Sequence, residues 1–283
     1  MSRLLRKHGR PGRKSPPSSL SHLLALQIVA TALLLPFFSQ LTQAKDATSS
    51  AAQKSAPFVD QATGLTMERF FGARTSFGYA MALPENTTSA SFIGQFQFPL
   101  ASGNGYGAMG FIGDMDDNFI LAVWPDGGGG VQASFRQATD EDNPPEVTGR
   151  FKVRPIARGV AVNATSLLYT FLCEDCLDPA LGLGPEQASA DAVMGWALSA
   201  RQVSDAANPG ARLGFHERGF GPFTARLGNA RVAQAQFDAV AALAGEAVAA
   251  SARATPVVLG AGQGKGKDGK GDDSDNDSDD DGD

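Results

Sequence analysis

The feature of this sequence that most restricts its fold is the alternation of apolar and polar residues over short segments. In Phe92–Phe98 the phenylalanines share one face and the glutamines the other, which is the period of two of a half-buried β-strand. Residues 119–124 are apolar on both faces, as in a central strand, and end at Pro125 before four glycines. Similar segments occur at residues 131–136, 147–153, 165–173 and 193–199.

Turn-forming residues separate these segments, and no helical pattern lies between them. Many short strands at regular spacing predict an antiparallel β-sandwich or barrel. The pattern changes after Arg231, where residues 233–252 are rich in alanine and carry apolar residues at roughly helical spacing. We therefore predict a globular domain at residues 58–231 and a helical extension at 232–260. The extension could pack on the sandwich or act as a spacer.

The N-terminal 44 residues contain six basic residues and no acidic ones. An apolar run from Leu23 to Phe38 follows the basic residues, and Thr42-Gln43-Ala44 follows the run. This order predicts a secretory signal peptide at 1–44, hence a secreted, extracellular protein, with a linker at 45–57. The alternative is an uncleaved membrane anchor, which needs about 20 apolar residues, whereas this run is shorter and contains Pro36.

The C-terminal residues 261–283 consist almost entirely of glycine, lysine, aspartate, serine and asparagine. Such a segment has no apolar surface to offset chain entropy, so we predict a disordered acidic tail. Calcium binding by the aspartates is the alternative, but the closing glutamate of an EF-hand is missing. Removing the six leader charges takes the formal net charge from −6 to −12. That charge argues against nucleic acid or an anionic membrane as partner.

Two sequons, at Asn86 and Asn163, are candidate glycosylation sites of a secreted protein. The only cysteines, Cys173 and Cys176, form a C-x-x-C motif at the end of a predicted strand. A zinc site would need two more ligands, and a c-type haem attachment would need histidine where Leu177 stands. A thioredoxin-like pair would need a βαβ context. A structural disulfide in an oxidising compartment is the interpretation that remains.

Histidine is rare in this chain, with three residues in all. His8 and His22 lie in the predicted leader, which leaves His216 alone in the mature chain. Zinc sites that need two histidines are therefore excluded. His216 lies in a glycine- and phenylalanine-rich loop at residues 214–223, and Met115 lies in an acidic turn. Each could be an ordinary loop residue, or each could bind a large planar cofactor.

A set of short motifs follows a definite order along the globular part of the chain. The set is Tyr79-Ala80, Gly113-Asp114-Met115-Asp116-Asp117-Asn118, Trp124, Ser134, Arg136, Ala138, Cys173-x-x-Cys176, Gly195-Trp196-Ala197 and His216. In this order the motifs resemble the haem-binding cytochrome domain of fungal cellobiose dehydrogenase and its single-domain relatives. The resemblance covers residues 58–231. None of the motifs is specific by itself.

The resemblance implies an all-β, immunoglobulin-like antiparallel sandwich that holds haem b, with Met115 and His216 as axial ligands of the iron. With both axial positions filled, such a haem favours electron transfer over bond-making. It also implies extracellular redox partners, a copper-dependent polysaccharide monooxygenase as acceptor and a flavin dehydrogenase as donor. Some family members carry a tyrosine near a haem propionate, where this chain has residues 140–142, Asp-Glu-Asp.

Two other functions stay open at this point. One is a haem-free sandwich module that binds carbohydrate or a surface partner, and the sequence distinguishes it from a cytochrome only through Met115 and His216. The other is a hydrolase with a carboxylate pair, since aspartate and glutamate are plentiful. We expect an electron-transfer protein rather than a stand-alone enzyme.

Overall fold

The computed structural model describes residues 53–140 and 142–258, which form two antiparallel β-sheets packed face to face. The predicted antiparallel sandwich is thereby confirmed. The predicted signal peptide and acidic tail lie outside the described residues. Within them, no helix is long and apolar enough to cross a membrane.

The larger sheet has seven strands. Six of them lie in the spatial order β1 (Ala56–Val59), β2 (Thr66–Gly72), β3 (Phe77–Pro84), β4 (Phe92–Pro99), β10 (Ser166–Glu174) and β9 (Lys152–Val162). The seventh, β13 (Arg231–Val232), pairs in parallel with β3. Helix α1 (Gln234–Ala241) follows β13 in the chain.

The smaller sheet has five strands and carries the candidate site. Its spatial order is β12 (Gly219–Arg226), β11 (Asp191–Ser199), β5 (Tyr106–Gly110), β6 (Phe119–Pro125) and β7 (Val131–Gln137). A separate parallel pair joins β8 (Val147–Thr148) to β14 (Thr255–Pro256). Single 3₁₀ turns occur at Pro179–Leu181, Gln187–Ser189 and Leu227–Asn229.

Strand β4 shows how the sequence pattern produces the core between the sheets. Phe92, Phe96 and Phe98 point inward and are at most 1% exposed. Gln97 points outward and is exposed, as the pattern predicts. Gln95 also points outward but is buried, because the outer face of this sheet is covered there. The residues of that cover are Leu65, Phe237 and Val240, which pack with Met67, Ala80, Ala82, Ile93, Ile156 and Leu172.

The predicted helical extension at 232–260 is wrong over most of its length. The helix ends at Ala241, and the chain then runs along the free edge of β9. Gly245 donates its N–H to the oxygen of Pro155, and Val248 donates to the oxygen of Val153. A β-sheet edge offers unpaired main-chain groups, and pairing with them outweighs the high helix propensity of the alanines, which tertiary contacts commonly override. We call residues 244–258 the C-terminal strap.

The predicted single strand at 147–153 is two strands, β8 and the start of β9. The chain bends at residues 149–150 between them. The bend allows Phe151 to turn into the core, where its ring lies 4.7 Å from the ring of Phe119 and 4.6 Å from that of Phe135. Gly149 is required there, because a β-carbon would come 2.5 Å from the Phe151 ring.

Candidate functional site

A cleft of about 360 Å³ lies on the outer face of the five-stranded sheet. Three loops enclose it, namely the β5–β6 loop (111–118), the β7–β8 loop (138–146) and the β11–β12 loop (200–218). This volume falls within the range of about 300–1,000 Å³ that is usual for small-molecule and cofactor sites. The cleft is therefore the candidate functional site.

The floor of the cleft is made by the smallest side chains of the sheet. Ala108 and Gly110 of β5 lie opposite Ala197 and Gly195 of β11, respectively. Strand residues alternate between faces, so Met109, between Ala108 and Gly110, points into the core and is fully buried. Small residues at neighbouring positions make a level floor that a flat group can approach closely.

The structure brings Met115 and His216 together in this cleft. Both side chains line it, and both are half-buried. The Met115 loop leaves β5 at Gly110, whereas the His216 loop leaves β11 at Ser199, which pairs with the start of β5. Counted along β5 at about 3.3 Å per residue, the points at which the two loops leave the floor are roughly 13 Å apart. The loops that carry the two side chains thus begin at opposite ends of the floor.

Glu217 anchors the loop that carries His216. Its carboxylate accepts hydrogen bonds from Ser199 Oγ and from the N–H of Ala200, both at 2.8 Å. Arg201 lies 3.6 Å from the same carboxylate. Burial raises the pKa of Glu217, but the hydrogen bonds and the Arg201 charge outweigh that effect and hold the pKa below its usual value. Glu217 therefore stays ionised and fastens the loop to the end of β11.

His216 is surrounded by aromatic rings. The ring of Phe215 lies 4.7 Å from the imidazole, and the ring of Phe220 lies 4.3 Å from it in an edge-to-face arrangement. Burial lowers the pKa of His216, and the nearby Glu217 charge opposes that effect only in part. At neutral pH the imidazole is therefore uncharged, and one ring nitrogen has a free lone pair.

Arg136 of β7 brings a buried positive charge to the cleft. It is 1% exposed, and its guanidinium donates to Ser134 Oγ (2.8 Å) and to the carbonyl oxygens of Pro144, Pro209 and Ala211. Burial lowers its pKa to about 10, although the Glu146 charge opposes the shift. No carboxylate of the described residues forms an ion pair with it. The site can therefore accept an anionic group.

Protein side chains alone offer no obvious metal site here. Across residues 53–140 and 142–258, no three histidine, cysteine, aspartate or glutamate residues are grouped so as to hold a metal ion. Asp140 and Asp142 are exposed, and Asp142 reaches the rim of the cleft.

The other sequence-predicted sites lie away from the cleft. Cys173 and Cys176 form a disulfide at the end of β10. Asn86 and Asn163 are exposed on loops of the seven-stranded sheet, and each accepts a 2.9 Å hydrogen bond from the threonine of its own sequon. Neither asparagine lines the cleft. Glycans at these positions would leave the cleft open.

Sequence reasoning did not identify two residues that shape the cleft. Tyr106 lines it from β5 and donates a hydrogen bond to the carbonyl of Gly214, and Glu217 anchors the His216 loop. The one available signal for Tyr106 was its spacing from Ala108 and Gly110, because residues two apart lie on the same face of a strand.

The predicted loop at 214–223 is also corrected, because residues from Gly219 onward form β12. The positive φ angles of Gly219 and Gly221 show why glycine occurs in that strand.

Comparison with known proteins agrees with this fold. The cytochrome domain of Myriococcum thermophilum cellobiose dehydrogenase is 22% identical with a TM-score of 0.60, over 69% of this chain and 98% of that chain. The cytochrome b domain of pyranose dehydrogenase from Coprinopsis cinerea is 24% identical with a TM-score of 0.58, over 72% of this chain and 98% of that chain. At these identities the likeness establishes the fold. No curated protein matches the chain.

The family itself is established by sequence. Residues 58–239 match the family described as the cytochrome domain of cellobiose dehydrogenase. The match covers more than half of the chain and extends from β1 into α1. The resemblance found in the sequence is thereby confirmed, and the chain belongs to the cytochrome-domain family of cellobiose dehydrogenase, whose members are extracellular b-type cytochromes that transfer electrons.

Proposed function

We propose that this protein is a secreted cytochrome that binds one haem b in the cleft, with Met115 and His216 as the two axial ligands. The observation that carries the proposal is that the only histidine of the described residues and a methionine from a polar turn line the same cleft. A thioether sulfur and an imidazole nitrogen form a known ligand pair of electron-transferring haems.

The residues of the cleft fit such a group. The floor of Ala108, Gly110, Gly195 and Ala197 can be approached closely by a flat ring. The lowered pKa of His216 leaves its nitrogen free to bind iron at neutral pH. The buried charge of Arg136 can compensate a carboxylate of the cofactor. When bound, haem supplies one-electron exchange, and occupation of both axial positions disfavours reaction with oxygen or peroxide.

The protein contributes orientation and exclusion of water. Glu217 and Tyr106 fix the His216 loop through hydrogen bonds to β11 and from β5. Phe215 and Phe220 flank His216, and in the described structure they are 58% and 59% exposed. These two rings would cover one edge of the cofactor and lower the dielectric around the iron, which favours the less charged, reduced state.

We infer that electrons pass between this protein and other extracellular proteins. A copper polysaccharide monooxygenase is the proposed acceptor and a flavin dehydrogenase the proposed donor. The donor proposal draws support from the two structural matches, which are cytochrome domains of sugar-oxidising dehydrogenases by their descriptions. The predicted mature charge of −12 favours a basic docking surface on the partner.

The test is the absorption spectrum of the purified protein, with haem added if needed. We expect sharp visible bands on reduction and release of haem b into acid acetone, because the chain lacks the C-x-x-C-H of covalent attachment. A protein that stays colourless and takes up no added haem would refute the proposal. Stopped-flow mixing of the reduced protein with a copper monooxygenase then tests the acceptor, and reoxidation no faster than in buffer would exclude it.

A further inference from the structure

The loop that carries Met115 is closed by hydrogen bonds of one buried side chain, that of Asn118. The loop leaves β5 at Gly110 and enters β6 directly after Asn118. Asn118 is 2% exposed, and buried amides in proteins are normally hydrogen-bonded. Its Nδ2 donates to the carbonyl oxygens of Ile112, at 2.9 Å, and of Asp114, and its Oδ1 accepts from the N–H of Ile112 at 3.3 Å. The amide therefore satisfies both donors and its acceptor within the loop.

The main chain of Asn118 adds two hydrogen bonds. Its N–H donates to the oxygen of Met115 at 3.3 Å, and its oxygen accepts from the N–H of Ala138, which follows β7, at 2.9 Å. Asp117 has a φ of 56°, in the left-handed region, so the chain turns sharply just before Asn118. One residue thus ties Met115 to both arms of its loop and to the neighbouring strand.

Two glycines of the cleft floor make room for this arrangement. Gly110 and Gly195 are paired across β5 and β11. A β-carbon at Gly110 would collide with the Asn118 amide, and one at Gly195 would lie 2.9 Å from the carbonyl oxygen of Ile112. The amide and the loop therefore occupy a space that exists only because both positions lack side chains.

We propose that Asn118 is the positioning residue for Met115, holding the loop so that the thioether faces His216 across the cleft. The inference rests on the proposed ligation by Met115 and adds a residue whose amide is hydrogen-bonded within the Met115 loop. The role requires an amide. The oxygens of Ile112 and Asp114 only accept hydrogen bonds, so a carboxylate at residue 118 would place oxygen against oxygen.

The test compares haem-loaded variants by midpoint potential and by binding of carbon monoxide to the reduced protein. Carbon monoxide needs an open axial position, so wild type should exclude it and Met115→Ala should bind it. We expect Asn118→Asp to bind carbon monoxide and to shift its potential towards that of Met115→Ala. Gly110→Ala, which displaces the amide without changing it, should show the same two effects.

The matched control is Gln95→Leu, which removes another buried amide with two hydrogen bonds, to Asp60 and Thr170, on the opposite sheet. It should lower stability while leaving the potential and the exclusion of carbon monoxide unchanged. If Asn118→Asp does not fold, Asn118→Ser is measured in the same way.

Two results would count against the inference in different ways. A loaded Asn118 variant with the wild-type potential and no carbon monoxide binding overturns the positioning role, while Met115→Ala keeps its effects and the proposed function stands. If Met115→Ala itself keeps the wild-type potential and excludes carbon monoxide, the ligand assignment fails and the role of Asn118 fails with it.

Discussion

The phenol of Tyr106 donates a 2.7 Å hydrogen bond to the carbonyl oxygen of Gly214, two residues before His216. Tyr106 belongs to the floor strand β5, whereas Gly214 belongs to the loop that covers the floor. The bond therefore joins the sheet to the arm of the loop that precedes the histidine, and Glu217 fastens the arm that follows it. His216 is held from both sides.

Replacing Tyr106 by phenylalanine should remove the hydrogen bond that holds the His216 loop to β5. We expect the free energy of unfolding to fall by about 1 kcal/mol, the usual net value of a hydrogen bond, and haem to leave faster. Haem transfer to a scavenging apo-globin measures the second effect. Tyr79→Phe is the control, because the buried Tyr79 hydroxyl has no hydrogen-bond partner among the described residues. Equal rates of haem loss in the two variants would show that the hydrogen bond from Tyr106 does not hold the His216 loop in place.

The three tyrosines of the chain should make the fold sensitive to alkaline pH. Burial raises the pKa of Tyr79, Tyr106 and Tyr169 above the ordinary value of 10, and for Tyr106 the Glu217 charge adds to the shift. The folded state keeps these protons when the unfolded state loses them. Stability is therefore complete below pH 10 and falls above it, by about 1.4 kcal/mol per pH unit for each phenol.

The measurement is phenolate absorbance of the haem-free protein as the pH rises, followed alongside circular dichroism. All three tyrosines should ionise together with unfolding, whereas in guanidinium chloride they should titrate near pH 10. A tyrosine that titrates reversibly near pH 10 while the circular dichroism stays native would show that its hydroxyl is accessible, contrary to this expectation.

Met115 and Met109 lie six residues apart and should respond in opposite ways to alanine. Met109 is fully buried in the core, so Met109→Ala should cost roughly 2–5 kcal/mol of stability through the cavity it leaves. Met115 is half-buried in a loop, so Met115→Ala should cost little stability but open one axial position and lower the potential. Denaturant unfolding and redox titration separate the two effects. A reversed outcome would make Met109 the ligand.

The C-terminal strap should contribute to stability through Glu146. The carboxylate of Glu146 is buried and accepts hydrogen bonds from the N–H and the hydroxyl of Ser251. Ser251→Ala leaves part of a buried carboxylate without a partner and should cost about 1–3 kcal/mol. Urea unfolding measures it, with the exposed Ser204→Ala as control. Equal midpoints for the two variants would indicate that the strap does not stabilise the domain.

Alternation along the sequence identified a strand only where its two faces meet different surroundings. Strand β4 alternates because its inner face meets the core, and its phenylalanines identified it. Strand β3 is buried along its whole length, between the core on one side and α1 on the other. Its eight residues therefore show no period of two, and the pattern analysis did not find it. Strand β12 was mistaken for loop because its glycines have backbone angles that side chains disfavour.

The candidate site was predictable in part for a similar reason. Met115 and His216 were singled out because each is unusual in its local setting, and the structure places both in one cleft. Asn118 and Glu217 are ordinary polar residues in sequence. Their importance depends on contacts with Ile112 and Ser199, which only the folded chain brings within reach. Hydrogen bonds between loop and strand have no sequence period from which they could be recognised.

Both ends of the described part of the chain pair with sheet edges, and this pairing bears on association with other chains. Residues 53–55 run along β12, bonded to both main-chain groups of Thr224, while the strap runs along β9. Unpaired sheet edges are the usual templates for strand addition by another chain and for aggregation. Here one outer edge of each sheet is already paired within the same molecule. Strand addition by another chain at these two edges is therefore disfavoured.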